Sequence, residues 1–123
     1  MRRRERKVTI REFYERTGGD YAGIMERFAG EKRVEKFAVM FLEDPCYEQL
    51  EKNLSEGNIR EAFQAVHTLK GVCLNIGFSR LYKSAFQVTE ALRVSDLAAA
   101  QENMETLRKD YLFIVKSLKE LDS

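Results

Sequence analysis

Apolar residues recur at intervals of three and four along almost the whole chain, and no stretch alternates in the way a strand would. The central run is Ile59, Ala62, Val66, Leu69, Cys73 and Ile76, which predicts a helix from Ile59 to about Ile76. Asn58 stands before it as a cap, and Asn75 with Gly77 stops it. The next helix begins at Phe78-Ser79, with Ser79 as its cap, and continues to about Arg93. Leu81, Tyr82, Ala85, Val88, Thr89 and Leu92 take its inward or groove positions. Ser95 or Asp96 caps the last helix, from Leu97 to about Leu121, whose stripe is Ala100, Met104, Leu107, Tyr111, Ile114 and Leu118.

The first half of the chain reads the same way in shorter pieces. Thr9 and Glu12 have the spacing of a capping box for a helix from Ile10 to about Arg16, ended by Gly18-Gly19. Asp20 caps a second short helix to about Phe28, with Tyr21, Ile24, Met25 and Phe28 on one side. After Gly30, Val34, Phe37, Ala38, Phe41 and Leu42 predict a helix from Glu31 to Glu43. Asp44-Pro45 then opens a helix to about Glu56, with Leu50 and Leu54 inward; proline permits either two helices here or one that is kinked. The expected fold is all-α: an antiparallel up-and-down four-helix bundle over residues 31–121 with a short helical hairpin, residues 9–30, covering one end. Residues 1–8 form a basic arm outside the domain at 9–123, read as a solvated tail rather than a contact for an anionic surface.

Charge and composition narrow the function classes. The chain has 123 residues, 21 lysines and arginines against 20 acids, and a net charge of +1. The first seven residues carry +4, leaving −3 for the rest. A mildly acidic folded part argues against a nucleic-acid-binding surface. No apolar run approaches a membrane span, and the basic start is not followed by an apolar segment as a secretory signal would be. The two cysteines, Cys46 and Cys73, are expected to be reduced, as in the cytoplasm. A monomer is the default for one core with a polar exterior.

The candidate chemistry is concentrated on the central helix. His67 is the only histidine. At about 100° per residue it lies roughly 130° from the axis of the apolar stripe, so it points into solvent. Phe63, Gln64, Lys70 and Gly71 are its neighbours at three and four residues, with Arg60 and Leu74 two turns away on the same face. A free imidazole, with a pKa of about 6.5, is mostly neutral near pH 7 and offers a lone pair to a phosphoryl group. Lys70 can place an ammonium beside the added oxygens. Gly71 costs a helix about 1 kcal/mol relative to alanine, which suggests a backbone that must be closely approached.

His67-Thr68-Leu69-Lys70-Gly71, followed by Leu74, Gly77 and Phe78, closely resembles the H-x-L-K-G…G motif of histidine-containing phosphotransfer (HPt) domains. The resemblance extends roughly from Arg33 to Leu121. It implies a four-helix bundle whose exposed histidine, His67, exchanges a phosphoryl group with aspartates of response-regulator receiver domains. It implies a hybrid sensor histidine kinase upstream. It also implies that the receiver supplies the magnesium and that the protein has no cofactor and no kinase activity of its own. Arg60, Phe63, Gln64 and Leu74 are then candidates for the docking surface; Phe78 either extends that surface or staples the turn. Many HPt domains carry a glutamine or glutamate twenty-two positions after the histidine, to orient the ring. Thr89 stands there in this chain and is shorter, so Gln87 and Glu90 are alternatives.

Other chemistries fit poorly. A metal site is not expected, because there is one histidine, no Glu-x-x-His and no cysteine placed to join it. An open helix face has no oxyanion pocket for hydrolysis, and no glycine-rich loop marks a nucleotide site. From another class, a helical interaction module that docks a receiver domain or other signalling protein without carrying phosphate remains the alternative. The length and the additional N-terminal helices lead us to expect a stand-alone protein rather than a domain cut from a hybrid kinase.

Overall fold

Every amphipathic segment above is helical in the computed structural model, which describes residues 8–121. The helices are α1 (Ile10–Thr17), α2 (Tyr21–Phe28), α3 (Glu31–Met40), α4 (Cys46–Ser55), α5 (Ile59–Asn75), α6 (Ser79–Arg93) and α7 (Leu97–Lys119). Among the described residues the only extended pairing is an isolated bridge between Val8 and Leu121. The Thr9 capping box forms: its hydroxyl accepts from the Glu12 amide at 3.1 Å, and its own amide donates to Glu12 Oε1 at 3.0 Å. Asp20 and Asp96 accept from the amides of Gly23 and Ala99, each at 3.0 Å.

Several termini differ from expectation. The segment from Glu31 to Ser55 is two helices, not one with a kink. α3 gives way to a 3-10 turn over Phe41–Glu43, and Asp44 is extended at ψ 126°. The ring of a proline pushes the preceding residue out of the helical region, and Asp44 precedes Pro45. Pro45 occupies the cap position rather than the first turn, and the Asp44 carboxylate accepts from the Cys46 amide at 2.8 Å. Asn58 sits at the N-cap of α5, but its amide donates back to Asn53 Oδ1 at 3.2 Å and Glu56 Oε1 at 3.3 Å instead of capping. Phe78, not Ser79, is the cap residue of α6, and Ser95 adopts a left-handed conformation at φ 56°, which leaves the α7 cap to Asp96.

Helices α4 to α7 form the bundle, α5 packing on α4 and α6, and α6 on α7. The pairings between elements show neighbouring helices of the bundle running in opposite senses. Phe63 and Lys70 of α5 meet Arg93 and Phe86 of α6. Arg80 and Ser84 of α6 meet Phe113 and Asp110 of α7. Tyr47 and Glu51 of α4 meet Tyr111 and Arg108 of α7, which closes the ring of four. Ala62, Val66, Leu69 and Cys73 of α5 are fully buried, as are Leu50, Leu81, Ala85, Val88, Ala100, Met104 and Leu107 of its neighbours.

The N-terminal hairpin does more than cover apolar surface. A helix leaves its last carbonyls without intrahelical partners, and three groups from the hairpin take up those at the end of α5. The Tyr14 hydroxyl donates to the Ile76 carbonyl at 2.6 Å, the Asp20 amide to Gly77 at 3.0 Å, and Arg27 Nη1 to Asn75 at 2.5 Å. Gly77 turns at φ 73°, and a Cβ there would come within 3.2 Å of the Asp20 carbonyl. Phe13, Tyr14 and Phe41 surround Phe78 with ring centroids 5.3 to 6.0 Å away, clamping the α5–α6 turn.

Two stability predictions follow from these contacts. Tyr14→Phe leaves the Ile76 carbonyl buried without its donor and should cost about 1–2 kcal/mol in chemical denaturation, with the denaturant slope unchanged. The Arg108 guanidinium, bonded to both oxygens of Glu51 at 2.9 and 3.0 Å, holds that carboxyl below its ordinary range. A depressed folded value stabilises above the unfolded pKa, and that stability is lost as pH falls through the folded value. Glu51→Gln should therefore lower stability near neutral pH by no more than about 1 kcal/mol, since the pair is partly solvated. Melting curves of the two proteins should converge on acidification below the carboxylate range.

Candidate functional site

The site is the flank of α5 that the core does not cover. Its inward stripe is sealed, so residues on the opposite side must stand in water. His67, Gln64, Arg60, Thr68 and Gly71 are all exposed, and Leu74 is 58% exposed two turns beyond the histidine. Phe63 is half-buried, resting against the core at its base. Its ring lies nearly parallel to the imidazole, 10° between planes and 5.8 Å between centroids. No hydrogen bond reaches the imidazole from any described residue.

Three cations line this flank: Lys70, Arg93 and Arg60. Lys70 lies one turn after His67, and its ammonium rests 5.5 Å from the centre of the Phe86 ring on α6. An exposed cation–π contact is worth only about 0.5–1 kcal/mol, so the ammonium is held loosely there. The Arg93 guanidinium stands 5.2 Å from the Phe63 ring and 3.3 Å from Glu90. Arg60, Arg93, Ile59, Phe63, Leu92 and Ser95 border a shallow groove of about 550 Å³ beside the histidine.

Gly71 has open space where a side chain would be: a Cβ built there meets nothing within 4 Å. The fold therefore does not demand a glycine at this position. On the remaining side, Met40 is 54% exposed and, with Phe37, Phe41, Val72 and Ile76, lines a second groove of about 350 Å³ along α3 and the end of α5.

A family model for the Hpt domain matches residues 40–120, about two thirds of the chain. The chain belongs to the Hpt domain family. Hpt domains are phosphocarriers in histidine phosphotransfer within phosphorelays, not kinases. The match spans α4 to α7 and leaves the N-terminal hairpin and nearly all of α3 outside it. No curated protein and no solved structure matches the chain.

Two sequence candidates in this Hpt domain are relocated by the structure. Phe78 is 1% exposed among Phe13, Tyr14 and Phe41, so it staples the turn and does not extend a docking surface. Thr89 lies across from His67 in the helix register but is fully buried, and its hydroxyl donates to the Ala85 carbonyl at 2.7 Å. A short β-branched side chain facing inward satisfies itself on its own helix; it makes no bond to the ring. Glu90 pairs with Arg93, and Gln87 is exposed with no bond to the imidazole.

Phe86 and Arg93 were missed in the sequence. The signal for them lay in the turn at Gly77: counting outward along antiparallel helices pairs 70 with 86 and 63 with 93. Among the described residues no cluster of three or more histidine, cysteine or acidic side chains could hold a metal ion, and no described helix is long and apolar enough to cross a membrane. Burial and the neighbouring Asp44 push the Cys46 thiol up to about 12, and burial likewise raises Cys73, so neither is a nucleophile near neutral pH.

If Gly71 is free of any folding duty, filling its empty space should help the helix. Gly71→Ala should stabilise the protein by about 0.5–1 kcal/mol in thermal or urea unfolding. A loss of stability would mean the fold requires the glycine after all.

Proposed function

We propose that this Hpt domain carries a phosphoryl group on His67, relaying it between the aspartates of receiver domains. A hybrid sensor histidine kinase would stand at the head of the relay. The observation that carries the reading is the lone exposed imidazole beside a bare backbone at Gly71, with Lys70 one turn on. A receiver docks over the α5 flank, using Leu74, Gln64 and Arg60 around the ring. An imidazole nitrogen attacks the phosphorus of the aspartyl phosphate in line. The N–P bond forms as the P–O bond to the aspartate breaks, and the electron pair leaves on the carboxylate. The ring's other nitrogen keeps its proton during the step.

The chemistry asks little covalent work of the protein, because phosphoryl transfer proceeds through a loose transition state in which position and charge dominate. The ammonium of Lys70 neutralises the added oxygens on the product side. Magnesium and the acceptor aspartate belong to the receiver. The two inert thiols suit a monomeric protein working in a reducing cytoplasm.

The test is transfer of radiolabel from a phosphorylated receiver. The native chain should take up acid-labile, base-stable label, and His67→Gln should take up none while still binding the receiver. Equal labelling of His67→Gln would overturn the assignment. Binding of the receiver with no label on the native protein would instead favour a docking module that carries no phosphate.

A further inference from the structure

The imidazole of His67 lacks the hydrogen-bonding partner that would fix its orientation, and the structure offers something else in its place. Phe63 lies one turn earlier on α5, with its ring 5.8 Å from the imidazole and 10° from parallel. That separation with near-parallel planes is an offset stack, a preferred arrangement of aromatic pairs. Phe63 is itself braced. Its base packs on the core, and the Arg93 guanidinium from α6 sits 5.2 Å from its centroid, held by Glu90 at 3.3 Å. Glu90, Arg93, Phe63 and His67 thus make a continuous chain of contacts from α6 to the reactive ring.

We infer that Phe63 is the positioning residue for His67, a stacking platform that holds the imidazole in one rotamer for in-line transfer. This rests on His67 being the phosphoryl acceptor. Thr89, in the register position across the groove, is buried and turned onto Ala85. A hydrogen-bond orienter would occupy one ring nitrogen. A stacked face occupies neither, so one nitrogen stays free to attack and the other to keep its proton. The platform also survives phosphorylation, since the contact involves the ring face and not the atom that changes.

The test uses the full chain with two readouts. In the first, isotope-labelled His67 is followed by nuclear magnetic resonance without any partner, through its side-chain couplings and its ring contacts to Phe63. The native protein should show one rotamer, Phe63→Leu an averaged set, and Phe63→Tyr, which keeps the ring face, the native pattern. In the second, single-turnover transfer from a phosphorylated receiver is measured over receiver concentration. Phe63→Leu should lower the saturating rate by about threefold to tenfold, the range expected for loss of one aromatic pair. Its half-saturating concentration should stay within about twofold, and Phe63→Tyr should restore the rate. A change confined to half-saturation would make Phe63 a docking contact and overturn the proposal, as would an unchanged rotamer distribution in a folded Phe63→Leu. If the native protein accepts no phosphoryl group, the proposed function fails, while the resonance readout still decides whether Phe63 orders the ring.

Discussion

The burial of one side of α5 is the constraint on which the rest depends. Ala62, Val66, Leu69 and Cys73 are sealed between α4 and α6. At 3.6 residues per turn, a helix packed on that stripe holds the opposite flank out to solvent. His67 has no freedom to be elsewhere: rotating it inward would expose four apolar side chains and bury Arg60 and Gln64, at a cost of several kcal/mol by area alone. The exposure of the histidine is thus enforced by the core and needs no local device. What remains for local contacts to settle is the orientation of the ring and the ground around it.

The end of α5 is as constrained as its flank. Three carbonyls there lie at the helix terminus, beneath the N-terminal hairpin. Tyr14, Asp20 and Arg27 each supply a donor, and the aromatic cluster around Phe78 fills the space below them. The hairpin lies outside the region that the Hpt family model matches, yet it completes a helix that lies within it. It also fixes the tight turn at Gly77, and that turn sets the register between α5 and α6. The register brings Phe86 beneath Lys70 and Arg93 beside Phe63. The hairpin and the exposed flank that carries His67 are therefore connected through the geometry of one turn.

Periodicity is enough to find all seven helices among the described residues, because each carries an apolar stripe long enough to mark its own span. The capping box at Thr9 and the aspartate caps at Asp20 and Asp96 were legible for a related reason: they depend on residues three positions apart in sequence. The positions that sequence misreads or leaves open share a different cause. Asn58 has the right residue type in the right place, but a competing partner on the previous turn takes its amide. Phe78 reads equally as exposed or stapling until Phe13, Tyr14 and Phe41 are known to converge on it, and they come from α1 and the α3–α4 connection. Thr89 is found by counting along the helices, but which way its hydroxyl turns depends on how deeply α6 sits against its neighbours. The stack of Phe63 on His67 was within reach at a spacing of four, although the plane of a ring is a matter of packing and not of sequence.

The site divides its work between kinds of force that act at different ranges. Apolar burial, which is non-directional, sets the helix and exposes the ring. Aromatic contact, which is weak but strongly dependent on geometry, sets the plane of the ring. Charge at Lys70, Arg60 and Arg93 acts over several ångströms of solvated surface and can favour an anionic group without specifying its pose. A carrier that must accept a group and then release it is well served by this division. Under the proposed function, orientation by a ring face would survive a change in charge at the nitrogen, and an ammonium resting over an aromatic ring would give up little on moving to a phosphoryl oxygen.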